Sequence, residues 1–377
     1  MADTQLIASM MSFKATNLSA YNVLVSFLRL TDADFMGRLY FPKIHERRKI
    51  TRDAFSQTAD WLFTHPNHIA WEDSIDIAQH HGLLWIKGKP GSGKSTLVKT
   101  AFLRMQSHSK ASGISTAAFF FNARSTQPLE KAPMGLYRSL LYQYFESENE
   151  GIVRLYEEEL RVYLKRVLVT QTSKPAVLFI DAVDECDDEE ARDLVGYFSR
   201  LTNEAFQLGA NLKVCLSSRH YPQISIDGCP EIAVERHNKQ DIFRFIQAGA
   251  EDYTLVNDLQ QDIANRYGGV FLWVVLVVSI LKKSGRGKSS KWLKNKLNEI
   301  PRELITLFKT LFSDVDTDEL PRAINFIRLM PFSKERLTWD QILIGLNFSL
   351  HALASDAAWR NSVDYFGTEQ SQHEMII

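Results

Sequence analysis

The sequence predicts an α/β fold in which a parallel sheet carries helices on both faces and a smaller all-helical domain follows. Two observations predict the sheet. Short apolar runs alternate with longer segments of helical periodicity between residues 83 and 234. One of these runs leads through a glycine-rich loop directly into a helical segment. The helical domain is predicted because no convincing strand pattern occurs from Gln240 onwards.

Five short apolar runs are the predicted strands. Their continuous apolar character is typical of parallel strands that are buried on both faces. The runs are Leu83–Ile86, Ala117–Phe121, Ala176–Ile180, Leu212–Leu216 and Ile232–Val234. The helices predicted between and after them are Gly135–Phe145, Ile152–Val167, Asp241–Ala250, Asn257–Arg266 and Val270–Leu281. Helical spacing of residues from Ala54 to Phe63 predicts one more helix, which leads into the first strand.

The loop after the first strand has the G-x-x-x-x-G-K-[ST] pattern of a phosphate-binding loop. The residues expected to bind a nucleotide are Gly88, Lys89, Pro90, Gly91, Ser92, Gly93, Lys94, Ser95 and Thr96. Backbone N–H groups of the loop and the positive end of the following helix suit phosphate oxygens. Lys94 would place a charge between the β- and γ-phosphates, and the Ser95 hydroxyl is an oxygen ligand suited to Mg²⁺. The alternative is a flexible glycine turn, but a strand before the loop and a helix after it favour the nucleotide site.

Three acidic residues follow the run Ala176–Ile180 and have separate expected roles. Asp181 lies at the carboxyl end of a predicted strand, where ligands of open α/β sheets bind, and is expected to be a magnesium ligand. Asp184 and Glu185 come shortly after it, and one of them would orient or deprotonate a water that attacks the γ-phosphate. Glu185 is favoured for that role over Asp184. A solvated acidic loop is the alternative.

Arg219 follows the strand Leu212–Leu216 after two serines. A cation at the tip of a strand beside the acidic one would sense the γ-phosphate. An ordinary loop arginine fits the same pattern, and residue chemistry alone does not separate the two interpretations.

The composition gives no support for nucleic-acid binding, disulfides or a membrane span. The 377 residues carry a formal net charge of −1, whereas nucleic-acid binding needs a basic excess. The three cysteines form no C-x-x-C pair, which predicts neither disulfides nor a zinc site and favours a reducing, cytoplasmic location. Val270–Leu281 is shorter than the roughly 20 apolar residues that span a bilayer, so a buried helix is expected and stable membrane insertion is not. A membrane-associated segment is the alternative, because a basic tract follows this run.

Five blocks of the sequence occur in the order found in one protein family. They are HGLLWIKGKPGSGKSTLVK (81–99), FFFNARS (119–125), VLFIDAVDECDDEEARDLV (177–195), LKVCLSSRHYP (212–222) and GGVFLWVVLVVSIL (268–281). From about residue 45 to about residue 310, the chain resembles the NACHT-domain proteins of filamentous fungi, which are nephrocystin-type P-loop ATPases of the STAND class that includes NOD-like receptors. The resemblance implies an ASCE-type sheet in which the Arg219 strand lies between the phosphate-loop strand and the Asp181 strand. It also implies that Arg219 is a γ-phosphate sensor, and it supports the roles given above to the phosphate loop, Asp181 and Glu185.

The sequence divides into five predicted segments. They are a helical extension (1–44), a nucleotide-binding domain of the NACHT type (45–238), a helical domain (239–315), the start of a winged-helix-like region (316–354) and a poorly ordered tail (355–377). Family members usually carry an N-terminal effector domain and C-terminal repeats. Neither pattern occurs in this sequence, which would fit a partial gene product. The histidine that relatives place near the β-phosphate has only a weak counterpart, His351.

The expected function is an ATP-binding switch that needs Mg²⁺, hydrolyses its nucleotide slowly and self-associates in the triphosphate state; GTP is the other nucleotide considered. The choice of ATP, and signalling in self/non-self recognition or programmed cell death, are implied by the resemblance alone. No effector partner is predicted. Two alternatives stay open, namely a non-hydrolysing nucleotide-binding module and a fast P-loop enzyme such as a small-molecule kinase or an AAA+-type ATPase. A kinase would need a lid, and no lid-like insertion with clustered arginines occurs in the sequence.

Overall fold

The structure is a computed structural model of the chain, and it describes residues 37, 39–146, 157–169, 174–221, 226–249, 254–285 and 288–313. Contacts between residues divide the chain into two units, 1–299 and 300–377. The first unit contains the sheet and its surrounding helices. The predicted boundaries of the five segments stay predictions. The predicted winged-helix-like region, the tail and His351 lie outside the described residues, as does almost all of the predicted N-terminal extension.

In the described part of the chain, five strands form one sheet, and every strand is parallel to its neighbours. The strands are β1 (Leu83–Lys87), β2 (Ser115–Phe120), β3 (Ala176–Asp181), β4 (Leu212–Ser218) and β5 (Glu231–Ala233). Their order across the sheet is β2-β3-β4-β1-β5. The predicted fold class is confirmed, and so is the position of β4 between β1 and β3.

Helices precede, connect and follow the strands. In the first unit they are α1 (Glu46–Ile50), α2 (Trp61–Thr64), α3 (Pro66–Glu72), α4 (Ile77–His80), α5 (Lys94–Ser112), α6 (Pro133–Glu146), α7 (Glu157–Leu168), α8 (Asp188–Gln207), α9 (Val234–His237), α10 (Lys239–Gly249), α11 (Thr254–Arg266), α12 (Phe271–Gly285) and α13 (Ser290–Glu299). Two 3₁₀ turns lie at Pro128–Lys131 and Val183–Glu185. The described residues of the second unit form α14 (Leu304–Ser313).

Alternating side chains of each strand supply two separate cores. On β1, Leu83 and Trp85 pack on one face with side chains of α6, α7 and α8. Leu84 and Ile86 pack on the other face with side chains of α3 and α5. Because successive residues of a strand point to opposite faces, a continuous apolar run is required wherever helices cover both faces. The predicted arrangement of helices on both faces follows from this pattern.

The predicted strands are confirmed, although their ends differ. Each of β1, β3 and β4 continues one or two residues beyond its apolar run into polar residues, because backbone pairing does not end where the apolar side chains end. Asp181 is therefore the last residue of β3 and not the first residue after it. The edge strand β5 ends before Val234, because that residue already belongs to α9.

The helix predicted from Ala54 to Phe63 is wrong. Residues 51–60 are not helical, and α2 is a short helix that ends just before Pro66. Gln57 and Ala59 have positive φ angles of 61° and 72°, which no α-helix accommodates. The side chain of Asp241 accepts hydrogen bonds from Ala59 N at 2.8 Å and from the Trp61 indole at 3.0 Å. The conformation of this segment is therefore set by its contacts with the distant residue Asp241 and not by the local spacing of apolar residues.

The helices predicted after β1, β2 and β5 are present, with ends that differ by a few residues. The helix α8, which follows β3, was not predicted. The start predicted for α7, at Ile152, lies outside the described residues. The apolar run that begins at Val270 forms α12, with one face buried through Trp273, Val274, Val277, Val278 and Leu281. Among the described residues, no helix combines the length and the apolar character needed to cross a membrane.

Candidate nucleotide-binding site

The glycine-rich loop joins the carboxyl end of β1 to the first turn of α5. Gly93 precedes the helix with φ 101°, a backbone angle that glycine adopts at little cost. No described side chain caps this end of α5. The first N–H groups of the helix have no intrahelical acceptor, and together with the helix dipole they favour an anion. Lys94, Ser95 and Thr96 form the first turn, as predicted.

The Lys94 ammonium lies over the loop that it is predicted to serve. Its Nζ donates to Gly88 O at 2.7 Å and to Lys89 O at 3.0 Å. Burial lowers the pKa of Lys94, although the carboxylates of Asp181 and Asp184 act in the opposite direction. The ammonium is therefore partly desolvated and interacts electrostatically with the acidic residues at the end of β3 and just after it.

Asp181 is a completely buried carboxyl group at the end of β3. Its Oδ1 accepts a hydrogen bond from the Ser217 hydroxyl of the neighbouring strand β4, whereas Oδ2 has no hydrogen-bond partner among the described residues. Burial raises the pKa of Asp181, and the hydrogen bond from Ser217, the nearby Ser95 hydroxyl and the charges of Arg47 and Lys94 oppose that rise. A buried carboxylate oxygen without a partner is costly and calls for a cation or a proton.

The residues around Asp181 fit a magnesium ion. A carboxylate oxygen without a partner and the nearby hydroxyl of Ser95 are both hard oxygen donors. No group of three or more His, Cys, Asp or Glu side chains in the described ranges could hold a metal by itself. This donor set suits Mg²⁺ better than a metal that needs a complete protein cage, because Mg²⁺ takes one or two carboxylates and completes its shell with phosphate oxygens and water.

Asp184 holds Arg219 at the tip of β4. The chain leaves β3 through Ala182, which has a positive φ of 57°, and then forms the 3₁₀ turn that carries Asp184. Asp184 Oδ1 accepts from Arg219 N at 2.9 Å, and Oδ2 lies 3.1 Å from Arg219 Nε. The structure thus brings the predicted sensor beside the predicted acidic residues. The catalytic roles of Asp184, Glu185 and Arg219 stay predictions.

Glu185 makes contacts that the sequence did not indicate. Its Oε2 accepts a hydrogen bond from Ala123 N at 2.9 Å, in the segment that follows β2. Its Oε1 lies 3.6 Å from Arg47 Nη2 on α1. Nothing in the sequence indicated that Arg47 lies near Glu185.

The phosphate loop is also bound to the helices that follow β5, which sequence reasoning missed. Lys89 Nζ donates to Gly268 O at 2.9 Å, and Leu272 N donates to Gly91 O at 3.0 Å. The Asn238 amide donates to Ser92 O at 3.3 Å and to Gly269 O at 3.1 Å. The double glycine before α12 was the available signal, because its sequence block belongs to the family resemblance. It did not indicate which loop the glycines approach.

Glu235, at the start of α9, joins the phosphate loop to the tip of β4. Its Oε2 accepts from Lys89 N at 3.3 Å, and its Oε1 pairs with His220 Nε2. Burial works to raise the pKa of Glu235, but hydrogen bonds and the proximity of His220 outweigh burial, so the pKa lies below its ordinary value. Glu235 is thus held as a carboxylate between two elements of the predicted site.

One family of known proteins matches part of the chain. Residues 57–219 match the family described as nephrocystin 3, N-terminal. No curated protein matches the chain in sequence.

Several solved structures resemble the fold at low sequence identity. The structure of Drosophila ORC bound to DNA has 12% identity and a TM-score of 0.44, covering 84% of this chain and 80% of that chain. Cdc6p from Pyrobaculum aerophilum has 15% identity and a TM-score of 0.41, covering 85% and 86%. The ORC2 protein of Aeropyrum pernix, in ADPNP-ADP complexes, has 12% identity and a TM-score of 0.40, covering 84% and 88%. At this level of similarity the neighbours say nothing about what this chain binds. The chain is a P-loop NTPase by fold, and its residues 57–219 are similar to the N-terminal domain of nephrocystin 3.

Proposed function

We propose that this chain binds ATP with Mg²⁺ and acts as a STAND-type molecular switch that hydrolyses its nucleotide slowly. One observation carries the proposal. Asp181 is completely buried with an oxygen that has no partner among the described residues, and it lies close to Ser95 and Lys94 at the start of α5. A buried carboxyl group without a full set of partners destabilises the folded chain. Binding of a metal–phosphate ligand would explain why such a group lies at this place.

Each residue of the site has a task that its position permits. The N–H groups of the loop and of the first turn of α5 would bind the β-phosphate, and Lys94 would move from the loop carbonyls to the phosphate oxygens. Ser95 and Asp181 would hold Mg²⁺. When bound, this ion neutralises charge on the phosphates. Arg219, kept in place by Asp184, would contact the γ-phosphate, and Glu185 would accept a proton from the attacking water.

A switch also needs a connection between the nucleotide and the rest of the molecule. The contacts from Gly268 and Leu272 to the phosphate loop support such a connection, because a change in the loop would alter hydrogen bonds made by the start of α12 and by the segment before it. Asn238 adds a second link through the chain that precedes α10. A ligand shifts a conformational equilibrium only through contacts that differ between the two states. The expected consequence is a self-association face that is exposed with ATP and hidden with ADP.

The experiment that tests the switch is nucleotide binding with the mass in solution followed in the same samples. Purified protein would be titrated with ATP, ADP and GTP in the presence of Mg²⁺. Binding of ATP accompanied by assembly, with ADP bound but no assembly, is the expected result. ATP binding without any change in mass would contradict the switch, and the absence of binding would overturn the whole proposal. The order of ATP and GTP affinities tests the choice of nucleotide, which rests on the family resemblance.

A non-hydrolysing nucleotide-binding module is the second candidate, and one observation favours it. Both carboxylate oxygens of Glu185 are engaged, one by Ala123 N and one near Arg47. Glu185→Gln separates the two candidates because it keeps the shape of the side chain but removes its basicity. Slow hydrolysis that the variant loses supports the switch, and binding without turnover in either protein supports the module. Equal turnover in both proteins would show that Glu185 does not take part in hydrolysis. The resemblance to NOD-like receptors supports a signalling role in self/non-self recognition or programmed cell death.

A further inference from the structure

Arg47 brings a positive charge to the acidic edge of the sheet from outside the region matched by the nephrocystin family. It belongs to α1, whereas the match begins at residue 57. Its Nη2 lies 3.6 Å from Glu185 Oε1, and the two side chains are 28% and 18% exposed. Its Nε is buried and has no hydrogen-bond partner in the described parts of the chain. The guanidinium also helps to lower the pKa of Asp181 against the effect of burial.

The backbone of Arg47 is attached to the helix that follows the phosphate loop. Thr51 donates to Arg47 O through its N–H at 3.1 Å and through its hydroxyl at 2.8 Å. Lys99 of α5 in turn donates to Thr51 O at 2.6 Å and forms an ion pair with Asp53 at 2.8 Å. The main chain that carries Arg47 is therefore held against α5 while its guanidinium contacts Glu185.

The two contacts of Glu185 direct its oxygens towards protein groups, whereas its proposed role is to accept a proton from water. A carboxylate that takes a proton from water must offer an oxygen to that water at hydrogen-bond distance. Oε2 accepts the Ala123 N–H, and Oε1 faces the Arg47 guanidinium. In the orientation observed, Oε2 thus already accepts one hydrogen bond, and Oε1 faces a cation that competes with water for it. Of the two partners, Arg47 has the side chain that a substitution can remove without changing the main chain.

We propose that Arg47 is a positioning residue that holds Glu185 in a resting orientation, and that hydrolysis requires this ion pair to separate. The inference rests on the proposed function, because it assumes that Glu185 activates water in a nucleotide-bound chain. It assigns to α1 a restraint on hydrolysis. The pair is partly exposed, so its contribution is modest and a few-fold change in rate is expected.

The test is single-turnover ATP hydrolysis by the full chain, with the ATP Kd measured for each protein. Arg47→Gln is expected to hydrolyse bound ATP about threefold to fivefold faster than the wild type, with the Kd unchanged within about twofold. Arg47→Lys keeps the charge and is expected to stay near the wild-type rate. Lys49→Gln removes one exposed charge from the same helix and is the matched control, with no expected effect. The gain should disappear when Arg47→Gln is combined with Glu185→Gln, which a merely structural role would not produce.

Several outcomes would overturn the inference. They are an unchanged or slower rate in Arg47→Gln, a gain that persists without Glu185, and hydrolysis that is absent from every variant although ATP binds. A Kd raised by about tenfold or more would instead make Arg47 a phosphate contact. Thermal unfolding of each variant distinguishes a slower rate from a failure to fold. Failure of the wild type to bind ATP would overturn the proposed function and this inference together, whereas normal binding and slow hydrolysis without acceleration in Arg47→Gln would overturn the inference alone.

Discussion

The Asp184 carboxylate contacts Arg219 twice: Oδ1 accepts a hydrogen bond from the main-chain N at 2.9 Å, and Oδ2 lies 3.1 Å from the side-chain Nε. The carboxylate is 5% exposed, whereas the arginine side chain is 53% exposed. A buried acceptor thus orients an accessible cation. The arrangement gives Asp184 a task different from that of Glu185, although the two residues are adjacent in the sequence.

Replacing Asp184 should therefore impair recognition of the γ-phosphate. We expect Asp184→Ala to weaken ATP binding by about 1 kcal/mol, or about fivefold, because Arg219 is half exposed and the pair is partly screened. ADP binding should change less, since ADP has no γ-phosphate. Calorimetric titration with both nucleotides measures the difference. Glu189→Ala, which removes an exposed acidic residue nearby, is the control. An equal loss of ATP and ADP affinity would show that Arg219 does not discriminate between them.

Removing the charge of Asp181 should abolish the magnesium dependence of ATP binding without lowering the free energy of unfolding. Asp181→Asn keeps an acceptor for the Ser217 hydroxyl but eliminates a buried carboxylate whose second oxygen has no partner among the described residues. We expect the free energy of unfolding to stay the same or to rise by about 1–2 kcal/mol. The preference for ATP with Mg²⁺ over ATP with a chelator should be lost. Urea unfolding and ATP titrations under both conditions test this pair of outcomes, and a variant that keeps the magnesium preference would exclude Asp181 as a ligand.

The two adjacent glycines before α12 offer a matched pair for testing the link to the phosphate loop. A Cβ at Gly269 would fall on the Glu235 side chain, whereas a Cβ at Gly268 would meet no described heavy atom within 4 Å. Both residues have positive φ angles, of 86° and 55°. Gly268→Ala should therefore cost about 1 kcal/mol for its backbone angle alone.

Gly269→Ala should cost about 1–3 kcal/mol more, because Glu235 must move. It should also weaken ATP binding, since Glu235 holds Lys89 N and His220. Urea unfolding gives the two stabilities, and calorimetry gives the affinities. Equal effects of the two substitutions on ATP binding would contradict the link between Glu235 and the loop.

His68 should make stability depend on pH below neutrality. Its side chain is buried against the rings of Phe63 and Trp71. Burial, with smaller contributions from Arg104 and His65, lowers the pKa of His68 from 6.5 to about 4. The unfolded chain therefore takes up more protons than the folded chain between these two values. Stability is complete above pH 6.5 and is lost as the pH falls towards 4.

The expected loss from His68 is about 1–2 kcal/mol between pH 7 and pH 5. His68→Phe keeps a ring in the site and should flatten the curve. Part of the slope should persist, because burial also lowers the pKa of His45 to about 4. His108→Gln, at an exposed position on α5, is the control. Urea unfolding at each pH measures the effect, and an unchanged slope in His68→Phe would show that His68 is not its source.

Local patterns predicted the fold and the centre of the site. The apolar runs identified the strands because both faces of the sheet are covered, and the glycine loop identified the start of α5 because its spacing is set by phosphate geometry. Asp181 was predicted because the end of a strand can be located from sequence. The order of β1, β3 and β4 came from the family resemblance and not from periodicity.

Other features depend on contacts between distant parts of the chain and could not be predicted. Arg47 approaches Glu185, and Asp241 organises the segment at Ala59, although no local signal connects these residues. The helix predicted from Ala54 failed for the same reason, since its spacing of apolar residues was compatible with a helix that tertiary contacts exclude. The link between Gly268 and the phosphate loop likewise depends on where the start of α12 lies, which is beside that loop.

The most direct test of the central claim is calorimetric titration of the wild type and of Lys94→Ala with ATP and Mg²⁺. Lys94 lies over the phosphate loop and is half-buried, so its truncation should weaken binding by about 2–5 kcal/mol, which is at least about thirtyfold. Lys291→Ala, at an exposed position on α13, should bind as the wild type does. Micromolar binding that is lost in Lys94→Ala alone is the predicted result. No binding by the wild type, or equal binding by Lys94→Ala, would contradict the assignment of this loop as a nucleotide site.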